Sequence, residues 1–276
     1  MTESNNPLKQ YFRRPSIYLR LPSQGFGYGD GAIDLPNNGE VPIYPMTTID
    51  EITSRTPDAL FNGTAIVDII QSCVPNIKDA WQLPITDLDP LLIAIRTATN
   101  GDKMEIETTC PSCNEESKYD VLLPGVLSTL QNSDYNTPLV KDELTIKFRP
   151  LKYIEINDSN ILQFEVQRMI ASLQNLEDEN EKSSRTSELL KKLNEMTIKL
   201  LVDTIEYIKT PTATVFEREF ITEFLTNCDK LTFNSIKEKS IENRSKSELK
   251  PLQMTCMHCK HEYEQPFIIN VTNFFD

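Results

Sequence analysis

Glu105-Ile106-Glu107-Thr108-Thr109-Cys110-Pro111-Ser112-Cys113 and, about 140 residues later, Leu252-Gln253-Met254-Thr255-Cys256-Met257-His258-Cys259 carry the same device. Each is an extended, threonine-containing approach that ends in a Cys-x-x-Cys turn. Each is followed by a polar turn and a strand-like run, Tyr119 to Leu123 in the first case and Tyr263 to Ile269 in the second. Strand, turn, strand is half of a zinc ribbon, and two halves supply the four soft thiolates of a closed tetrahedral site. Cys110, Cys113, Cys256 and Cys259 are therefore the expected ligands of one structural zinc. Three alternatives use the same residues: reduced thiol pairs, a small disulfide in each turn, or replacement of one cysteine by His258 or His261.

The chain also reads as if written twice. Glu40 to Thr47 is a short strand ended by Pro45, followed by helical stretches to Cys73 and around Asp89 to Thr97. Glu143 to Leu151 repeats the strand and proline, followed by helices to Cys228 and around Asn234 to Lys239. The offsets are 105 between Pro45 and Pro150, 155 between Cys73 and Cys228, and 146 between Cys110 and Cys256. The jump places an insertion of about 50 residues in the second half, and a repeat of this kind decides the architecture. Inside it, Leu162, Val166, Met169, Leu173 and Leu176, then Leu189, Leu193, Met196 and Leu200, step along single helical faces. The polar run Glu177 to Ser184 separates the two stripes, so the insertion is expected to be an antiparallel helical hairpin that packs on itself or takes a partner.

The expected fold class is thus α+β: duplicated strand-helices-strand units joined by a split zinc ribbon. The expected layout is an extended arm over 1–20, a first repeat over 21–140 and a second over 141–276, with the hairpin at about 155–210.

Composition narrows the function. The 276 residues can hold one large or two moderate domains. No apolar run approaches the ~20 residues that span a bilayer, so no membrane insertion is expected. Met1 to Pro7 is too polar for a signal peptide, which predicts a reducing cytoplasm where cysteines bind metal rather than pair. A formal charge of −13, from 41 acidic and 28 basic residues, works against a phosphate backbone. Both histidines sit beside the second Cys-x-x-Cys, leaving little for a catalytic triad, and four thiolates leave zinc no open position. The glycine-rich Gly25 to Gly31 lacks the Lys-Ser/Thr of a P-loop and reads as a loop. No catalytic residue and no small-molecule substrate are expected.

The aromatic and arginine residues Tyr11, Phe12, Arg13, Arg14, Tyr18, Arg20, Phe26 and Tyr28 are of the types enriched at interface hot spots. They are the candidate partner-binding residues, with docking on the chain's own acidic body as the competing use.

Leu21-Pro22-Ser23-Gln24-Gly25, then Gly39 to Thr47, Asp50-Glu51 and Thr109 to Cys113 resemble baseplate hub and hub-assembly proteins of T-even-like contractile-tailed bacteriophages. The similarity covers mainly residues 17–123. It implies a non-enzymatic protein made in the host cytoplasm, binding other baseplate hub proteins and residing in the tail baseplate or acting in its assembly. The rival reading is a zinc-ribbon regulator that binds nucleic acid.

Overall fold

The structure is a computed structural model that describes residues 6–173, 178–270 and 274–275. It is a mixed α and β fold with small antiparallel sheets and two main apolar cores. Leu176 and Glu177, from the expected stripe and turn, lie outside the described residues.

The first core forms around one helix. β1 (Ile17–Arg20) pairs with β2 (Glu40–Ile43) in a two-stranded ribbon, where Pro42 costs little because one edge of the strand needs no partner. α1 (Thr48–Ser54) starts on a capping box in which Thr47 and Asp50 bond each other's backbone. α2 (Pro57–Phe61) and α3 (Thr64–Cys73) follow, and then α4 (Ile85–Asn100), whose run from Leu91 to Ile95 is buried on every side. Five consecutive apolar residues leave that stretch of helix no polar face, which marks it as core. β3 (Lys103–Thr109) and β4 (Glu116–Leu122) form the hairpin of the first Cys-x-x-Cys, and α5 (Leu123–Ser128) closes the unit.

The second core sits on a four-stranded meander, β5 (Leu139–Lys141), β6 (Leu144–Phe148), β7 (Ile205–Lys209) and β8 (Thr214–Val215). α6 (Tyr153–Leu173) and α7 (Glu179–Asp203) are inserted between β6 and β7, which pair directly. The inserted hairpin has its own small cluster of Val166, Leu173 and Leu189, with Leu162, Ile170 and Leu193 against it. Ile170 takes the place that the periodicity gave to Met169, which is exposed. The helices end at Asp203, not near 210, because Ile205, Tyr207 and Lys209 continue as a strand.

α8 (Arg218–Asn227) and α9 (Lys230–Ser245) lead to the second hairpin, β9 (Leu252–Thr255) and β10 (Glu262–Gln265). β10 stops before the expected Ile269, since Pro266 has no N–H to give a ladder.

Packing does not follow chain order. Tyr135 belongs to the second core, whereas Leu249, Leu252, Phe267, Ile269, Phe274 and Phe275 join the first. Arg96 of α4 holds this returning end, donating to the Phe274 carbonyl and lying 5.5 Å from its ring centroid. The halves also meet at Gly63, whose φ of +81° opens α3. A Cβ there would collide with the Asn157 side chain and the Tyr153 hydroxyl of α6.

Candidate metal centre

The two Cys-x-x-Cys turns are built alike. In the first, the Cys110 N–H donates to the Glu115 carbonyl at 3.0 Å and the Asn114 N–H to the Cys110 carbonyl at 2.9 Å. In the second, the Cys256 N–H donates to the His261 carbonyl at 2.9 Å and the Lys260 N–H to the Cys256 carbonyl at 3.0 Å. The residue after each second cysteine takes a left-handed conformation, Asn114 at φ +59° and Lys260 at φ +61°. Asparagine tolerates this best; lysine has no such preference, so the turn itself imposes it. The flanking registers match too, Thr109 opposite Glu116 and Thr255 opposite Glu262.

The hairpins lean together. The Tyr119 hydroxyl donates to the Thr255 carbonyl at 3.2 Å, and the Thr108 hydroxyl to Gln265 Oε1 at 2.7 Å. Four sulfurs converge as a result, all within 4.8 Å of one another, with Cys110 to Cys259 and Cys113 to Cys256 both 3.7 Å apart. A disulfide would need ~2.05 Å. A tetrahedron with metal–sulfur bonds of about 2.3 Å has edges of about 3.8 Å, so the cluster has the dimensions to hold a zinc ion. Both edges join a cysteine of one turn to a cysteine of the other. A metal here would bridge the hairpins rather than sit within one turn.

The electrostatics point the same way. Backbone N–H groups of Cys259 and His258 face the Cys256 sulfur and hold its thiol down at about 6, even against burial. At Cys113 the Glu115 N–H also lowers the value, but desolvation and the three neighbouring sulfurs outweigh it and push the thiol up to about 12. Four sulfurs cannot all ionise at this spacing unless a cation joins them. The Ser112 N–H points at Cys110 Sγ from 3.4 Å, the usual support of a metal thiolate. Neither histidine belongs to the cluster; His261 stacks on Tyr263.

The candidate partner residues divide into two groups. Tyr11, Phe12, Arg14, Tyr18, Arg20 and Phe26 are exposed. Arg13 turns inward: its guanidinium donates to the Pro45 carbonyl at 2.7 Å, to the Ser72 carbonyl at 2.9 Å and hydroxyl at 2.8 Å, and pairs with Asp50 at 3.3 Å. It also lies 5.9 Å from the Tyr44 ring centroid. Residues 13–20 are accordingly no free arm: the Arg13 anchor and β1 fasten them to the body, whereas the 3-10 turn at Pro7–Tyr11 buries none of its residues.

Tyr28 is likewise internal. Its hydroxyl donates to Asp87 at 3.1 Å, and Ser23 donates to the same carboxylate through its N–H at 2.8 Å and its hydroxyl. This fastens the glycine-rich loop to the start of α4. Burial pushes Asp87 up to about 6 against those three bonds, and burial followed by the Asp87 charge raises Tyr28. Sequence reasoning missed Asp87. Its signal was an aspartate in the first turn of a helix whose centre, Leu91 to Ile95, is wholly apolar.

The chain matches the T4 bacteriophage base plate protein family across residues 32–276, and it belongs to that family. No curated protein and no solved structure matches it. The match extends past the 17–123 stretch of the sequence resemblance and takes in the inserted hairpin and both Cys-x-x-Cys turns. No described helix is long and apolar enough to cross a membrane.

Proposed function

We propose that the protein is a non-enzymatic component or assembly factor of the baseplate hub. It works through contacts with other hub proteins and is stapled by one structural zinc on Cys110, Cys113, Cys256 and Cys259. The observation that carries this reading is the bridge between distant hairpins in a member of the baseplate family: the four sulfurs join residues near 110 to residues near 256. Binding free energy at such a site is folding free energy, so its role is to hold the two ends of the chain in one body. No coordination position is left for substrate.

We further read the chain as a duplication, with repeats over about 21–140 and 141–276. Support comes from α3 and α8, each ten residues, the first ending at Cys73 and the second capped by Cys228, and from α4 and α9, each sixteen. The matched hairpin registers add to it. The exposed Tyr11, Phe12, Arg14, Tyr18, Arg20 and Phe26 form the proposed contact surface, and Arg13 and Tyr28 hold it in place. Synthesis in the host cytoplasm and a place in the finished tail complete the reading.

Pull-down from infected cells with mass spectrometry, beside analysis of purified virions and metal analysis of protein prepared without chelator, tests it. Hub proteins in the pull-down and about one zinc per chain are expected. Retention on a phosphate-rich column at physiological salt, with no baseplate protein recovered, would favour a nucleic-acid-binding regulator instead.

A further inference from the structure

The short edges of the sulfur cluster cross from one turn to the other, and this allows a chemistry beyond metal binding. Cys110 Sγ lies 3.7 Å from Cys259 Sγ, and Cys113 Sγ lies 3.7 Å from Cys256 Sγ. Each crossing pair joins a buried sulfur to a more accessible one: Cys110 and Cys256 are buried, Cys259 is exposed and Cys113 is half-buried. Closing either gap to the ~2.05 Å of a disulfide needs side-chain rotation, with no separation of the hairpins.

The hairpins are also held together by groups other than sulfur. The Tyr119 hydroxyl donates to the Thr255 carbonyl at 3.2 Å, and the Thr108 hydroxyl to Gln265 Oε1 at 2.7 Å. These bonds keep the two turns facing each other while the sulfurs change partners. A disulfide closed within each turn would remove the sulfur bridge between the hairpins. Disulfides across the turns would replace it with covalent bonds.

We propose that the four cysteines are a redox-convertible staple: hydrogen peroxide turns the thiolate site into two disulfides, Cys110 to Cys259 and Cys113 to Cys256, which give up the metal and keep the hairpins tied. In each pair the more accessible sulfur, at Cys259 or Cys113, attacks one peroxide oxygen. The O–O bond breaks, a sulfenic acid forms and water leaves. The buried sulfur of the opposite turn then displaces the sulfenic oxygen as a second water, and the S–S bond forms. Two thiolates and two protons thus reduce one peroxide to two waters, so the whole site consumes two peroxides. The inference rests on the proposed function for the zinc, and for the route from a reducing cytoplasm to a particle in the oxidising medium outside the cell. A site able only to hold zinc would open wherever a chelator or an oxidant took the ion. Crossing disulfides would keep it closed.

Peroxide titration of the full-length, zinc-loaded protein tests it. About one zinc per chain should pass to a colorimetric chelator for about two peroxides consumed. Peptide mapping without reductant, with fragmentation between the cysteines of each turn, should find Cys110 joined to Cys259 and Cys113 to Cys256. The oxidised protein should melt several degrees above protein that has been reduced and stripped with a chelator. Dithiothreitol with added zinc should restore the starting form. Four main products would each overturn the proposal: disulfides within the turns, the pairs Cys110 to Cys256 and Cys113 to Cys259, sulfinic acids, or links between chains. An oxidised form that melts no higher than the stripped one would overturn it too. Zinc content measured before peroxide is added decides the metal site on its own, and the pairing found in the same preparation decides the conversion.

Discussion

α4 and α9 are both sixteen residues long and both lead into a Cys-x-x-Cys hairpin, yet they are held very differently. α4 buries eleven of its residues, including Leu88, Leu91, Leu92, Ile93 and Ile95; α9 buries only Thr232, Ile236 and Asn243. The first helix is wrapped by the β1–β2 ribbon, by α3 and α5, and by the returning Phe274 and Phe275. The second has one face on its core and the rest in water. Equal length and equal position therefore do not imply equal anchorage. Each half has an apolar core, but α9 is packed on one face only, and the second half is further tied to the first by the sulfur cluster, the Arg96 contact with Phe274 and the Gly63 crossing.

The largest effect should come from cutting the strongest tie. Cys113→Ser removes one of four sulfurs, and structural zinc in small sites is worth on the order of 10 kcal/mol. A loss of several kcal/mol is expected, seen as a marked fall in Tm. Amide exchange should rise first in β9 and β10 and last in α4. An unchanged Tm in zinc-loaded preparations would sink the staple.

Next in size are the two cores themselves. Leu92→Ala, at 1% exposure in the middle of α4, should cost about 4 kcal/mol in urea unfolding. Ile236→Ala is also fully buried but lies on a helix with more room to relax, and should cost about 2 to 3 kcal/mol. Equal costs would break the contrast between the helices.

That contrast was only partly legible in the sequence. Helix periodicity and the Cys-x-x-Cys spacing are local patterns, and they located α4, α9, the inserted hairpin and all four sulfurs. Burial is not local: Asn234 to Lys239 and Asp89 to Thr97 both read as helix, and nothing in either says what surrounds it. The return of Phe274 and Phe275 into the first core had no periodic signal. Arg13 read as part of a surface cluster because its partners, Pro45, Asp50 and Ser72, lie more than thirty residues away in the chain. Asp87 was missed for the same reason, with Ser23 and Tyr28 about sixty residues before it.

Asp87 gives a third, smaller effect, with an unusual sign. Its acid titrates at about 6 in the folded protein, above the ordinary 3.8, so the folded state binds the proton more tightly than the unfolded chain does. This group therefore adds stability as pH falls from about 6 to about 4 and withdraws it as pH rises through that window. Two units correspond to at most about 3 kcal/mol. Relative to Asp87→Asn, the wild type should gain up to that amount between pH 7 and pH 4. A constant difference between the two proteins across that range would mean that the carboxylate is not desolvated by the glycine-rich loop.

The smallest effect on stability should fall on the exposed face of the N-terminal segment, and there the contrast between tie and contact becomes testable within a few residues. Arg13 and Tyr18 were candidates for the same surface, but Arg13 makes four bonds into the body while Tyr18 is 61% exposed. Arg13→Ala leaves the partly buried Asp50 without its ion pair and should cost about 1 to 3 kcal/mol. Tyr18→Ala should stay within about 0.5 kcal/mol of wild type. Their effects on assembly should run the other way once stability is accounted for. At a temperature where both variants are folded, Tyr18→Ala, together with Tyr11→Ala and Phe12→Ala, should lower incorporation into tails, because exposed aromatics that stabilise nothing within the chain are free to bind a partner. Arg13→Ala should assemble nearly normally at that temperature. Normal tail yield from the triple aromatic variant would move the partner surface to the inserted hairpin between Leu162 and Leu200. A severe defect in Arg13→Ala at full folding would mean that its guanidinium leaves Asp50 to reach the partner.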